Sequence, residues 1–291
     1  MIWICGADGQ VGVELRKRFK DIKNVIYTDK EVDITKAEVV KQFILDNKIS
    51  LIINAAAYTN VNEAETTDRP LCEQVNVIGV KNLVDSGINL IHISSDYVYD
   101  DIPLNYYHYE NEIGRPLNYY GLSKKLGDDY IIKYASKHPE YNYLILRVSW
   151  VYSDHHKNFV KTIFNALKSN NKLTVIDDQF GRLTHAADIA DTIFILYKKM
   201  SRQYNGIYHY SGAGDIVSWY DIACEIRQFM IDKLKLDLDE IIPCKTTSSN
   251  IERPKNSKLS LEKIQNTFEI IIPNWRDCLQ KCLYELKNKL D

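Results

Sequence analysis

Short, wholly apolar runs alternate with stretches of helical period along the first half of the chain. Residues 1–5 read as a buried strand, and a glycine turn then leads into an amphipathic stretch ending at Phe19. Further strands are predicted at 24–28, 50–54 and 90–94, with helices at 36–47 and 70–86 between them. Another helix follows Tyr119, and an apolar run covers 143–150. Strands too apolar to keep a wet face, separated by helices, predict βαβ units and a parallel sheet covered on both sides.

The second half is less regular. Helices are predicted at 158–168, 186–199, 218–233 and 277–289, and short strands at 173–176 and 206–210. The polar segment 243–260 carries Pro243 and Pro254 and reads as a surface loop. The expected fold class is α/β: a Rossmann-like doubly wound parallel sheet, mainly residues 1–152, with a smaller C-terminal lobe, mainly 153–291. No flexible linker divides the two parts, so elements of the second half are free to return to the first sheet.

Composition adds mainly exclusions. A formal net charge of -2 over 291 residues gives no reason to expect a nucleic-acid partner. The six cysteines are scattered and form no C-x-x-C pair, which argues against zinc and against a disulfide framework. No run of about 18 apolar residues occurs, so no spanning helix is expected. No basic segment with an apolar signal run opens the chain. The expected setting is the cytoplasm, away from membranes.

The first candidate chemistry lies in the turn after the first strand. Gly6, Gly9 and Gly12 are spaced G-x-x-G-x-x-G, and Gln10 and Val11 stand where the helix begins. Such a turn lets a pyrophosphate approach the free N–H groups of a helix N-terminus. Glycine is also the default turn residue, so its place in a βαβ pattern is what gives the motif weight. Asp29, at the end of the second strand, stands where an acid commonly binds the ribose diol of NAD, and an ordinary turn residue fits there equally well. The neighbouring Lys30 suits a 2′-phosphate, so NADH and NADPH both remain open.

Tyr120 and Lys124 are four residues apart on the predicted helix and share one face. A nearby ammonium favours the phenolate and is expected to lower the tyrosine pKa towards the working range. With 20 tyrosines in the chain, this spacing arises easily by chance. Order gives it meaning, because the fourth strand ends in Ser94, Ser95 and Asp96, upstream of the pair. A hydroxyl at the carboxyl end of a parallel strand faces the ligand crevice, where Ser95 would hold a substrate carbonyl beside Tyr120.

With these motifs in this order, the chain resembles the extended short-chain dehydrogenases/reductases and, within them, the dTDP-4-dehydrorhamnose reductase family. The likeness runs from Gly6–Gly12 through Asn54–Thr59, Ser94–Tyr99, Pro116–Gly121, Arg147–Tyr152, Asp178–Gly181 and Arg253–Pro254. It implies NADPH or NADH as cofactor and reduction of the C4 ketone of dTDP-4-dehydro-L-rhamnose to dTDP-L-rhamnose. Tyr120 would supply the proton, Lys124 would hold the nicotinamide ribose, and Ser95 would position the carbonyl. Gly9, Gln10 and Val11 would meet the pyrophosphate, Asp33 and Ile34 the adenine, and Ala55, Ala56, Ala57 and Thr59 the inner half of the dinucleotide. Ser95 and Asp96 would touch the substrate, Trp150 the sugar or its carrier, and Arg253 the phosphates.

Some family members bind magnesium at a homodimer interface through an acid matching Glu14, which is otherwise an ordinary first-helix carboxylate. The chain departs from the family pattern in three places. Ser95 replaces the usual Thr, Arg182 and Leu183 follow Gly181 where a small residue and Pro are common, and residues 100–109 are rich in tyrosine. A nucleotide-sugar epimerase or dehydratase shares the same turn and Tyr–Lys pair, and a catalytically silent regulatory subunit shares the fold.

Overall fold

A computed structural model describes residues 1–169, 172–247 and 251–289. Six parallel strands form the central sheet: β1 (Ile2–Cys5), β2 (Val25–Thr28), β3 (Leu51–Asn54), β4 (Asn89–Ser95), β5 (Tyr143–Val148) and β6 (Gly206–Tyr210). Their spatial order is β6-β5-β4-β3-β1-β2. The chain runs outward from β1 to β2, then crosses back to β3, so the direction of winding reverses between β1 and β3. Their carboxyl ends open a crevice at this switch point.

The apolar runs are explained by burial on both faces. Ile2, Ile4, Leu51, Ile53, Leu144 and Leu146 enter one core, while Trp3, Cys5, Ile52 and Ile145 enter the other. The first core is closed by helices Gln10–Phe19, Ala186–Lys199 and Glu262–Phe268; the second by Ala37–Asn47, Val80–Asp85 and Tyr119–Lys137. Three second-half elements therefore belong to the first sheet: β6 pairs with β5, helix Ala186–Lys199 sets Phe194 edge-on to Phe19 at 5.1 Å, and helix Glu262–Phe268 sets Phe268 against Tyr208 at 4.9 Å. A third core joins helices Phe159–Lys168, Trp219–Leu234 and Trp275–Asn288.

Two expectations need correction. The helix expected at 70–86 contains a π-helical segment, Gln74–Gly79, that carries the buried Asn76. The Asn76 amide donates to the Tyr58 carbonyl at 3.0 Å and to Ser123 Oγ at 2.9 Å, tying the post-β3 loop to the helix that bears Tyr120. The segment 243–260 is not a surface loop throughout. Ile242–Cys244 pairs with Thr174–Ile176, and Asn256, Ser257, Leu259 and Ser260 are buried. Residues 256–260 bond to Phe180 on one side and His108 on the other, an interior path that polar composition does not reveal. Residues 248–250 of that segment lie outside the described residues.

Candidate active site

Three contacts build the crevice before any ligand is considered. Gly6, at φ 75°, lies against the backbone of Ala55 and Ala56, where a Cβ would come within 2.4 Å of the Ala56 nitrogen. A Cβ on Gly12 would reach the Gly6 carbonyl at 2.1 Å. These two glycines close the turn upon itself, whereas Gly9 faces the opening. No side chain caps the first turn of helix Gln10–Phe19, which leaves its N–H groups to meet an anion.

Helix Tyr119–Lys137 is seated equally firmly. Asn118 accepts from the Gly121 N–H at 2.8 Å and donates to the Glu252 carbonyl at 2.9 Å, so one residue caps the helix and fixes the segment preceding Arg253. The Glu65 carboxylate accepts the Tyr119 N–H. Gly121 lets the helix touch the turn after β4, since a Cβ there would lie 2.1 Å from the Tyr97 carbonyl. That close approach brings Tyr120 beside Ser95.

A cavity of about 850 Å³ joins these parts. Gly9, Gln10, Val11, Ala55, Ala57 and Thr59 line one end, and Ser95, Asp96, Tyr120, Lys124, Trp150 and Arg253 line the other. Six expected residues lie elsewhere. Gly6, Gly12 and Ala56 form the wall behind the turn, and Asp29 directly follows β2. The Asp33 carboxylate is held by Thr35 at 2.7 Å, and Ile34 is buried against Gly79. Sequence reasoning missed Asn62, Tyr97, His156 and Trp219 as cavity residues. Only the capping box of Ser218 and Asp221 marks where the Trp219 helix starts, and no local signal says what the indole faces.

The electrostatics differ from expectation at the central pair. Lys124 is 2% exposed, and its ammonium donates to the Ile93 carbonyl at 2.8 Å. Burial lowers its pKa to about 8 against the opposing pull of Asp128. Tyr120 does not acquire the lowered pKa that its spacing from Lys124 suggests. Burial pushes the phenol upward, a hydrogen bond with Ser95 pulls it partly back, and the charges of Asp96 and Tyr97 raise it. The hydrogen bond that the ammonium makes goes to a backbone carbonyl and not to the phenol, so the phenol is a proton donor in this state. Burial also raises Asp96 to about 6, despite hydrogen bonds with Ser257 and Ser95 that favour its ionised form.

The far wall is aromatic. Trp150 has a left-handed backbone, φ 49°, uncommon for a bulky residue. This conformation presents its indole to Trp219, stacked at 3.7 Å, and Phe159 supports Trp219 at 4.5 Å. Gly181 backs the same indole, with room for no Cβ: one would lie 2.9 Å from the ring. Arg253 reaches the rim, where it donates to Asn62 Oδ1 at 2.9 Å.

Glu14 lies outside this cavity. With Asp154 and His155 it forms a cluster whose ligand atoms all lie within 4.8 Å of one another. Its donors are already engaged: Glu14 with Lys17 at 2.7 Å, and Asp154 with Lys289 and His155. Two carboxylates neutralised by ammonium groups, with one imidazole, suit the oxygen-seeking magnesium ion poorly.

Comparison with known proteins finds relatives over nearly the whole chain. The family model described as the RmlD substrate binding domain matches residues 1–288. A dTDP-4-dehydrorhamnose reductase from Aggregatibacter actinomycetemcomitans is 35% identical over 291 residues, covering 95% of this chain and 96% of the relative. The crystal structure of such a reductase from Clostridium acetobutylicum superposes with a TM-score of 0.86 at 32% identity, covering 98% of this chain and 99% of the other. That of the Bacillus anthracis reductase in complex with NADP gives 0.83 at 30% identity, covering 98% and 97%. With its glycine turn, Ser95, Tyr120 and Lys124 gathered in one crevice, the chain belongs to the RmlD family of dTDP-4-dehydrorhamnose reductases.

Proposed function

We propose that this protein is an NAD(P)H-dependent oxidoreductase that reduces the C4 ketone of dTDP-4-dehydro-L-rhamnose, yielding dTDP-L-rhamnose for polysaccharide biosynthesis. The observation that carries the reading is the meeting of Ser95, Tyr120 and Lys124 in one cavity with the uncapped helix at Gly9. The residues present suit a dinucleotide: Gly9, Gln10 and Val11 for the pyrophosphate, and Ala55, Ala57 and Thr59 for its inner half. When bound there, a nicotinamide supplies the hydride.

The protein's own residues handle the carbonyl and the proton. Ser95 donates to the ketone oxygen and holds it beside the Tyr120 hydroxyl. Tyr120 delivers its proton to that oxygen as negative charge develops, which its raised pKa suits. The Lys124 ammonium has further donors beyond the Ile93 bond, available for a ribose hydroxyl. Trp150 and Trp219 offer a flat apolar surface to the nucleobase or sugar, and Arg253 offers a cation to the diphosphate.

Among the described residues no helix is long and apolar enough to cross a membrane, and all six cysteines are free thiols. The free thiols support a reducing cytoplasmic setting for the enzyme. The decisive assay follows oxidation of NADPH and NADH with dTDP-4-dehydro-L-rhamnose and identifies the product sugar. Stoichiometric cofactor consumption with formation of dTDP-L-rhamnose is expected. Turnover without net consumption would replace this reading with an epimerase or dehydratase.

A further inference from the structure

A second cavity, of about 510 Å³, opens on the flank of the molecule between the tyrosine-rich loop and the segment leading into helix Glu262–Phe268. Tyr107, Tyr109, Arg182, Ser260 and Gln265 are among its lining residues. Arg182 is the group that demands explanation. Arg182 is only 7% exposed, yet among the described residues no carboxylate pairs with it. One guanidinium nitrogen donates to the Leu259 carbonyl at 2.6 Å, the Tyr107 ring centre lies 5.9 Å away, and the buried Nε has no partner among the described residues.

A buried cation is expensive unless it is paired and fully hydrogen-bonded. Arg147, the other buried arginine, meets that condition through Asp128 and Tyr99, at 2.9 and 2.7 Å. Arg182 has one neutral carbonyl. Burial accordingly lowers its pKa, with only Tyr107 opposing. The acid on the cavity rim, Glu262, is exposed and makes no ion pair with it. An incoming oxyanion would supply the missing partner through the Nη–H groups not given to the Leu259 carbonyl, which can meet the oxygens of a phosphate or carboxylate.

We propose that the Arg182 cavity is a second ligand site, separate from the active-site crevice, that takes a small organic oxyanion bearing a ring. The anionic group completes the Arg182 guanidinium. The ring lies against Tyr107 and Tyr109, both exposed at the mouth of the cavity. The site stands back to back with the crevice. Gly181, the residue before Arg182, touches Trp150, and Leu259 packs on Val98 and Tyr99.

Phenyl phosphate is a suitable probe, titrated into the full chain by calorimetry and thermal unfolding, with potassium chloride at matched ionic strength as control. Saturable binding with a rise in melting temperature is expected. Arg182→Met should weaken that binding at least about tenfold, as for loss of a charge-assisted hydrogen bond. Gln265→Glu, at an exposed helix position, should weaken it by repulsion while leaving the fold intact. Arg253→Gln, altered in the larger cavity, should retain it. Absence of saturable binding to the unmodified protein would overturn the proposal. So would binding undiminished in both Arg182→Met and Gln265→Glu, or binding lost in Arg253→Gln.

Discussion

Two buried cations sit near the carboxyl halves of β4 and β5, and the protein treats them differently. Arg147 donates to Asp128 at 2.9 Å and to Tyr99 at 2.7 Å, and Tyr99 continues to His209 at 2.6 Å. Burial alone would lower its pKa, but Asp128 and Tyr99 outweigh that and raise it. Lys124 has a backbone carbonyl as its hydrogen-bond partner and feels Asp128 only at a distance, so burial prevails. The same carboxylate thus secures one cation and leaves the other short of partners. A satisfied pair holds the fold together, whereas an under-satisfied ammonium at the crevice retains donors and charge for a ligand.

The largest effect is expected for Tyr120→Phe, which keeps the ring and removes the proton; kcat should fall by about 10²–10⁴ with cofactor affinity near that of the unmodified protein. Rates from NADPH oxidation and affinity from fluorescence titration check both halves. Retained turnover would remove Tyr120 from the mechanism.

Next come the cations themselves. Arg147→Met leaves the Asp128 carboxylate buried without its partner and should cost about 3–5 kcal/mol in urea unfolding. Lys124→Met removes an ammonium that folding already disfavours, so stability should hold or rise while activity is lost. Equal destabilisation by the two substitutions would erase the distinction drawn between them.

A pH profile sharpens the same point. Folding lowers the Lys124 pKa from 10.5 to about 8, so its charged form costs stability below pH 8. That cost disappears as pH rises from about 8 towards 10.5, because the unfolded chain there binds more protons. Lys124→Met should therefore flatten this contribution to the stability profile. In activity, kcat/KM of the unmodified protein should decline as pH rises through about 8, where the free enzyme loses the ammonium. A profile flat to pH 10 would show that its charge is not used.

A smaller effect is expected at the aromatic wall. Gly181→Ala pushes a methyl group into the Trp150 indole and should raise KM for the nucleotide sugar more than it lowers kcat, at a stability cost of about 1–3 kcal/mol.

The sheet was readable because its signals are local. An apolar run such as 50–54 announces a strand buried on both faces, and Gly6, Gly9 and Gly12 mark the turn after β1. Tyr120 and Lys124 share a helix, so spacing alone predicts a common face. Other parts had no local signal. Trp219 joins the site by stacking on a residue 69 positions away, and the mostly polar segment 256–260 is buried by backbone bonds to Phe180 and His108 and by Leu259 packing on Val98 and Tyr99. The lowered tyrosine pKa failed as an expectation for a related reason: spacing gives the face of a side chain, not the acceptor that its charge finds.

By itself, the sequence determined the alternation of strands and helices, the glycine turn and the order Ser95, Tyr120, Lys124. Periodicity and backbone freedom are properties of neighbouring residues. Tertiary structure decided that β6 returns to the first sheet, that Asn118 caps one helix while holding the segment before Arg253, and that the Lys124 ammonium binds the Ile93 carbonyl. It also decided which buried cation is neutralised. Desolvation and pairing depend on everything within a few ångströms, and chain folding alone determines what that is.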